Sequence, residues 1–140
     1  MKRIFLDTSV LFSAAYSSKG YSRELILMAA RGEIIIVISD FVLTEARRNL
    51  AGIDPAHLAY LNLILETIDF EYAHASKRDV IQAAKWVALK DAPIIAAAKK
   101  SRIDLLVTLD KKHLLGKSSI AEYLGTEIVT PIEAVSRLQG

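Results

Sequence analysis

The chain has 140 residues, of which 52% are hydrophobic, with 18 Lys and Arg against 16 Asp and Glu. This length fits one globular domain over residues 1–140, large enough to fold without disulfides or a structural metal. The chain has no cysteine, which excludes disulfide frameworks and thiolate zinc sites and is compatible with a cytoplasmic location. The net charge of +2 allows an anionic partner but excludes a polybasic arm.

The N-terminus combines a basic start with a short apolar run, as a secretory signal does. Asp7 ends this run after Ile4–Leu6, whereas a signal needs roughly 7 to 15 apolar residues. We therefore predict a buried strand over Arg3–Leu6. The longest stretches without a charged residue have 11 residues, well below the ~18 of a membrane-spanning helix. No membrane partner is expected.

Further apolar runs rich in branched residues occur at Ile34–Ile38 and Leu105–Leu109. Segments of helical pattern separate them, which predicts parallel βαβ units. Apolar and acidic residues alternate over Ile68–Tyr72, as expected for an edge strand with one solvated face, and Glu127–Thr130 forms a fifth strand. The predicted fold class is α/β, a three-layer sandwich around a five-stranded, mainly parallel sheet.

Polar residues and prolines mark the helix starts between these strands. They are Ser39 with Asp40, Asp54 with Pro55, Ser76, Asp91 with Pro93, and Thr130 with Pro131. Helix ends or turns are expected at Gly32, Gly52, Gly116 and Gly125. Two predicted helical segments, Tyr21–Ala30 and Leu58–Leu65, are more apolar than one buried stripe requires, which leaves surface for a dimer or a partner. Trp86, Val87 and Leu89 are predicted to pack in the core.

Carboxylates occur at positions that the fold does not require. Asp7 and Asp110 directly follow two predicted strands, and Asp91 opens a helix. Strand C-termini and the following helix N-termini lie along one edge of a parallel sheet, where ligands usually bind. Glu45 shares an apolar helical stripe with Val42, where an isolated carboxylate costs several kcal/mol unless it gains a cation or strong donors.

Four acids that converge on one edge would repel each other and require a divalent cation. Oxygen-only ligands favour Mg²⁺ or Mn²⁺ over zinc. Such an ion makes a bound water more acidic and neutralises charge on a phosphoryl group. The residues therefore predict metal-assisted phosphodiester hydrolysis.

Each acid also has an ordinary structural explanation. Asp7 and Asp91 could be turn or helix caps, and Asp110 could cap a short following helix. Glu45 could pair with Arg48 on the same helix. On this alternative the chain is a non-catalytic RNA- or protein-binding module with a vestigial acidic site.

A second enzyme hypothesis is a phosphatase or phospho-acceptor of the haloacid dehalogenase or receiver type, with Asp7 as nucleophile. The sequence disfavours it, because a dehalogenase-type site needs a second Asp where Ser9 stands. Dinucleotide or ATP binding is disfavoured too, since neither glycine-rich phosphate-binding motif occurs.

Four motifs in order resemble the PIN-domain nucleases, over the chain from Ile4 to about Ile132. The motifs are Ile4-Phe5-Leu6-Asp7-Thr8-Ser9-Val10-Leu11, Leu43-Thr44-Glu45, Asp91-Ala92-Pro93-Ile94-Ile95-Ala96-Ala97-Ala98 and Leu106-Val107-Thr108-Leu109-Asp110. One departure is Ser9, where many members carry Asn. Ser9 can still form local hydrogen bonds, so the acid set is unaffected.

The resemblance implies a sheet with strand order 3-2-1-4-5 and a Mg²⁺- or Mn²⁺-dependent endoribonuclease. It implies that metal binding and orientation of the attacking water are the roles of Asp7, Glu45, Asp91 and Asp110. The hydroxyls of Thr8 and Thr108 would assist by binding the substrate. For members of this size it also implies a toxin of a toxin–antitoxin pair, with RNA as substrate, a homodimeric state and an antitoxin protein as partner.

Basic residues near the predicted site are candidates for substrate binding. Lys111 directly follows Asp110, and Arg48 lies three residues after Glu45, so both are predicted to contact substrate phosphates. Exposed charge is the ordinary alternative for both. His113 is the only histidine expected near the acids, and a surface role is predicted for it as for the other two.

Overall fold

A computed structural model describes all residues 1–140, and its five strands form one parallel sheet. The strands are β1 (Arg3–Leu6), β2 (Ile35–Ser39), β3 (Glu71–Ala73), β4 (Leu105–Val107) and β5 (Glu127–Val129). Their order is β3-β2-β1-β4-β5, and every neighbouring pair is parallel. The predicted fold class and strand order are confirmed.

Eight helices connect and follow the strands. They are α1 (Thr8–Tyr16), α2 (Tyr21–Ala30), α3 (Asp40–Ala51), α4 (Pro55–Thr67), α5 (Lys77–Ala83), α6 (Ala92–Lys100), α7 (Ser118–Leu124) and α8 (Pro131–Gln139). The predicted starts are confirmed where side chains cap the helix, at Ser39, Asp54, Ser76 and Thr130. None of the helices has the length and apolar character needed to cross a bilayer.

Burial along β1 shows that helices cover both faces of the sheet. Ile4, Phe5 and Leu6 are all fully buried, although successive side chains of a strand point to opposite faces. They belong to one cluster of 38 buried hydrophobic residues. The central strand β1 therefore lies in the middle of the core. Packing on both faces fixes its C-terminal end, which Asp7 directly follows.

The edge strand β3 differs from the predicted one in position. The prediction placed it at Ile68–Tyr72, but Ile68 ends α4 by donating its backbone N–H to Ile64 O at 3.0 Å. The strand forms only at Glu71–Ala73, where Ala73 is buried and Tyr72 is exposed. The alternating pattern therefore predicted an edge strand correctly, but the strand begins at Glu71 and not at Ile68.

The prediction that Trp86 and Leu89 pack in the core is wrong. Their exposed fractions are 52% and 80%. Because α5 ends at Ala83 and the chain continues in turns up to α6, the helical spacing of these apolar residues is not realised. Trp86 instead stacks on Tyr123, with ring centroids 5.5 Å apart.

A capping box of Thr130 and Glu133 begins helix α8 and contributes to the stability of the fold. Thr130 accepts a hydrogen bond from the backbone of Glu133 at 3.2 Å, and the Glu133 carboxylate accepts from the backbone of Thr130 at 3.0 Å. We expect Thr130→Ala to lower the free energy of unfolding by about 1 kcal/mol. Urea denaturation measures this change. Ser136→Ala, at an exposed position of the same helix, is the control, and equal stability of the two variants would contradict the assignment.

Candidate active site

Asp7 is fixed where β1 passes into α1. Its side chain is 4% exposed and caps the helix, because Oδ1 accepts hydrogen bonds from Val10 N at 3.1 Å and Ser9 Oγ at 2.6 Å. Its Oδ2 accepts from the hydroxyl of Thr108, which follows β4. Burial raises the pKa of Asp7, the charge of Asp110 adds to the shift, and the hydrogen bonds oppose it.

Asp91 precedes the first residue of α6 but does not cap that helix with its side chain. It is 7% exposed, and its Oδ2 is buried without any hydrogen-bond partner. Burial raises the pKa of Asp91, and the charges of Asp110 and Glu45 raise it further against the opposing effect of Lys90. A buried, partnerless carboxylate oxygen is costly in free energy, so the fold alone does not account for this acid.

Asp110 lies in the turn that follows β4. Its Oδ1 accepts from the backbone of Lys112 at 3.0 Å and of His113 at 2.9 Å, and its Oδ2 lies 3.3 Å from His113 Nδ1. Partial burial works to raise the pKa of Asp110, but the backbone and ring of His113 outweigh it, so the pKa lies below its ordinary value. One potential ligand atom each from Asp91, Asp110 and His113 lie within 4.8 Å of one another.

Glu45 approaches the other acids from α3. Its Oε1 accepts a hydrogen bond from the hydroxyl of Thr8 on α1. The alternative pairing with Arg48 does not form, since Glu45 takes part in no ion pair. Glu45 is thus a half-buried carboxylate whose charge acts on Asp91 without a neighbouring cation.

The structure brings the four predicted acids to one edge of the sheet but does not gather all of them into one group of ligand atoms. The group within 4.8 Å consists of Asp91, Asp110 and His113, and Asp7 and Glu45 lie outside it. Repulsive charge interactions link Asp7 to Asp110, and link Asp91 to both Asp110 and Glu45. Asp7 and Asp110 also serve as caps, as the structural alternative predicted, but Asp91 and Glu45 do not. The cap explanation covers two of the four acids and leaves the other two unexplained.

Hydroxyl groups connect the elements that carry the acids. Thr108 Oγ1 donates to Asp7 and accepts from the backbone of Asp110 at 3.0 Å. Ser9 Oγ donates to Asp7 and accepts from Leu109 N at 3.1 Å. Ser9, which departs from the family pattern, therefore ties the start of α1 to the segment after β4.

The donor set fits a hard divalent cation. Its carboxylate oxygens suit Mg²⁺ and Mn²⁺ and include the partnerless oxygen of Asp91, and its third potential ligand atom is a ring nitrogen of His113. The imidazole of His113 is engaged with Asp110, so it can orient that carboxylate. The residues present are therefore consistent with a magnesium or manganese site.

The predicted substrate-binding residues differ in their positions. Thr8 and Thr108 contact Glu45 and Asp7, as described, whereas Lys111 and Arg48 are exposed and contact none of the acids. The sequence prediction of a surface role missed His113, which lies within the acidic cluster. Its spacing of three residues from Asp110, one helical turn, is the signal that could have placed it there.

Comparison with known proteins identifies the family. A family model described as PIN domain matches residues 3–112. The chain therefore belongs to the PIN domain family, which confirms the resemblance seen in its four motifs. No curated protein matches the chain as a relative.

Several solved structures share the fold. PAE2754 from Pyrobaculum aerophilum is 16% identical with a TM-score of 0.66, covering 99% of this chain and 96% of that one. FitAcB from Neisseria gonorrhoeae is 16% identical, TM-score 0.61, covering 92% and 98%. VapC20 from Mycobacterium tuberculosis, described as a sarcin-ricin loop cleaving toxin, is 20% identical, TM-score 0.58, covering 78% and 91%.

The raised pKa of Asp91 predicts a pH-dependent effect on stability in the metal-free protein. The stability contributed by this carboxyl is fully present below about pH 4, its unfolded-state pKa, and is lost as pH rises through the raised folded-state pKa. In EDTA, we expect Asp91→Asn to match the parent at low pH and to be about 1–3 kcal/mol more stable at neutral pH. Chemical denaturation across this pH range measures the difference.

The matched control is Asp69→Asn, which neutralises an exposed carboxylate with no hydrogen bond or ion pair. It should show no gain that increases with pH. A parent protein as stable as Asp91→Asn at neutral pH would contradict the cost assigned to this carboxylate.

Proposed function

We propose that the protein is a Mg²⁺- or Mn²⁺-dependent endoribonuclease that hydrolyses RNA phosphodiester bonds. The observation that carries the proposal is the buried, partnerless oxygen of Asp91 within a group of mutually repelling carboxylates. This group lies at the sheet edge where ligands of α/β proteins bind. Membership of the PIN domain family and the described activity of VapC20 support a nuclease.

In this proposal four carboxylates bind the metal and orient the attacking water. They are those of Asp7, Glu45, Asp91 and Asp110. A bound ion would supply positive charge to the phosphoryl group and lower the pKa of a water. Thr108 and Ser9 hold the Asp7 carboxylate in one orientation, and Thr8 does the same for Glu45. The proposed metal ligands are thus restrained by hydrogen bonds before an ion binds.

Neutralising the acids is the direct test. We expect Asp7→Asn, Glu45→Gln, Asp91→Asn and Asp110→Asn each to lower metal-dependent RNA cleavage at least about 100-fold, because each removes a ligand charge. Cleavage of labelled RNA in Mg²⁺ or Mn²⁺, with EDTA as a blank, measures the effect. Asp69→Asn should cleave like the parent, and full activity of both Asp7→Asn and Asp91→Asn would rule out this site.

Thr108 tests the role of the hydroxyls that orient the acids. Thr108→Val keeps the shape of this buried side chain but removes its hydrogen bonds to Asp7 and to the backbone of Asp110. We expect cleavage to fall roughly 10- to 100-fold, with a higher metal concentration needed for half-maximal rate. Thr108→Ser should restore most of the activity. A loss of rate with unchanged metal dependence would contradict this positioning role.

The alternative, a binding module without catalysis, is favoured by the caps that Asp7 and Asp110 provide. Millimolar Mn²⁺ separates the two hypotheses. A nuclease of the proposed kind should melt at a higher temperature with the ion, because the ion binds the folded state preferentially. An unchanged melting temperature together with intact RNA would favour the binding module.

Protein partners are proposed on the basis of exposed apolar side chains. Leu27 on α2 and Leu63 on α4 are both exposed, in the two segments where the sequence predicted surplus apolar surface. We propose a homodimer of a cytoplasmic toxin and, since the structural neighbour VapC20 is described as a toxin, an antitoxin protein as its partner. Sedimentation should show a dimer that Leu27→Lys or Leu63→Lys weakens, whereas a monomer at all concentrations would exclude the homodimer.

A further inference from the structure

A basic groove lies beside the acidic cluster. Its volume is about 470 Å³, and its lining includes Trp86, His113 and the lysines Lys85, Lys112 and Lys117. His113 also contacts Asp110, so one end of the groove adjoins the proposed active site. A substrate strand bound in the groove would therefore pass directly by the acids.

The aromatic part of the groove is held in place but open to solvent. Trp86 stacks on Tyr123, and its backbone N–H donates to the carbonyl of the buried Ala83 at 2.9 Å. Lys99 fixes Tyr123 in turn, donating to its carbonyl at 2.6 Å. Half of the Trp86 side chain remains exposed. An exposed indole in a fixed orientation offers a planar surface on which a nucleobase can stack.

The charge of the groove is opposite to that of the acidic cluster. Three lysines and no carboxylate line it. Lys111 is the lysine predicted from the sequence to contact phosphate, but the lysine that lines the groove is its neighbour Lys112. Lysines grouped near an exposed aromatic ring suit single-stranded nucleic acid, because phosphates contact the cations while unpaired bases stack.

We propose, on the basis of the nuclease function proposed above, that this groove binds a single-stranded segment of the RNA substrate next to the bond that is cut. An unpaired base stacks on Trp86. The flanking phosphates contact Lys85, Lys112 and Lys117.

The chain contains one tryptophan, so its fluorescence reports on this groove alone. In EDTA, which prevents cleavage, an oligouridine of roughly 12 nucleotides should quench Trp86 saturably, and a duplex RNA of equal length should not. No quenching by the single strand would overturn the proposal. Quenching by polyglutamate but not by RNA would also overturn it, by identifying an acidic protein segment as the occupant.

Variants then separate stacking from charge. With fluorescein-labelled oligouridine, Trp86→Ala should bind about 5- to 100-fold more weakly, and Trp86→Phe should retain most of the affinity. Tyr72→Ala, which removes an exposed aromatic ring from β3, is the control and should bind like the parent. Equal binding by Trp86→Ala and the parent would contradict the stacking role, and thermal melting verifies that both variants are folded.

The salt dependence of binding tests the lysines. Replacing Lys85, Lys112 and Lys117 together by Gln should reduce the slope of log affinity against log salt by about 0.7 for each phosphate that a lysine no longer neutralises. The matched control replaces three exposed lysines outside the groove, Lys2, Lys19 and Lys77. An equal change of slope in both triple variants would show that the lysines act through nonspecific charge, and would contradict phosphate binding in the groove.

These binding measurements are independent of catalysis. RNA cleavage without quenching of Trp86 would support the nuclease function and contradict RNA binding in the groove. Specific binding at Trp86 without metal-dependent cleavage would support RNA binding in the groove and contradict the nuclease function. The protein would then be a binding module.

Discussion

Electrostatic repulsion among buried and half-buried carboxylates sets the chemistry of this edge of the sheet. The core holds the C-terminal ends of β1 and β4 side by side, so Asp7 and Asp110 are brought together as a consequence of strand pairing. Helices α3 and α6 add Glu45 and Asp91 to the same edge. Hydrogen bonds satisfy Asp7 and Asp110, but one oxygen of Asp91 has no partner. A fold stabilised only by its core would gain by replacing that acid, and this cost supports the proposal that a cation binds here.

The surroundings of the acids are arranged to limit their movement rather than to neutralise them. Neither Asp7 nor Asp91 forms an ion pair, and burial raises the pKa of both. The hydroxyls of Thr8, Ser9 and Thr108 fix orientation without supplying a countercharge. Burial without a countercharge favours the protonated form of both acids in the metal-free protein, and a bound cation would favour the ionised form. The lysines lie instead in the adjoining groove, where they would contact phosphates and leave the carboxylates free.

Much of the fold and the acid set could be predicted from the sequence because both depend on local patterns. Buried parallel strands read as continuous apolar runs, and Asp7 and Asp110 follow two of them. Tertiary packing decided the rest. The shift of β3 depends on where α4 ends, and the exposure of Trp86 depends on α5 ending at Ala83, neither of which the apolar pattern encodes. The turn after β4 brings His113 to Asp110, and the sequence does not show this turn. Only the folded structure shows that Glu45 accepts a hydrogen bond from Thr8 and does not pair with Arg48.

Anomalous diffraction from crystals soaked in Mn²⁺ would locate the ion independently of activity. We expect a manganese peak among the carboxylates of Asp7, Glu45, Asp91 and Asp110, in direct contact with the otherwise partnerless oxygen of Asp91. An ordered protein with saturating Mn²⁺ and no peak at this edge of the sheet would contradict it.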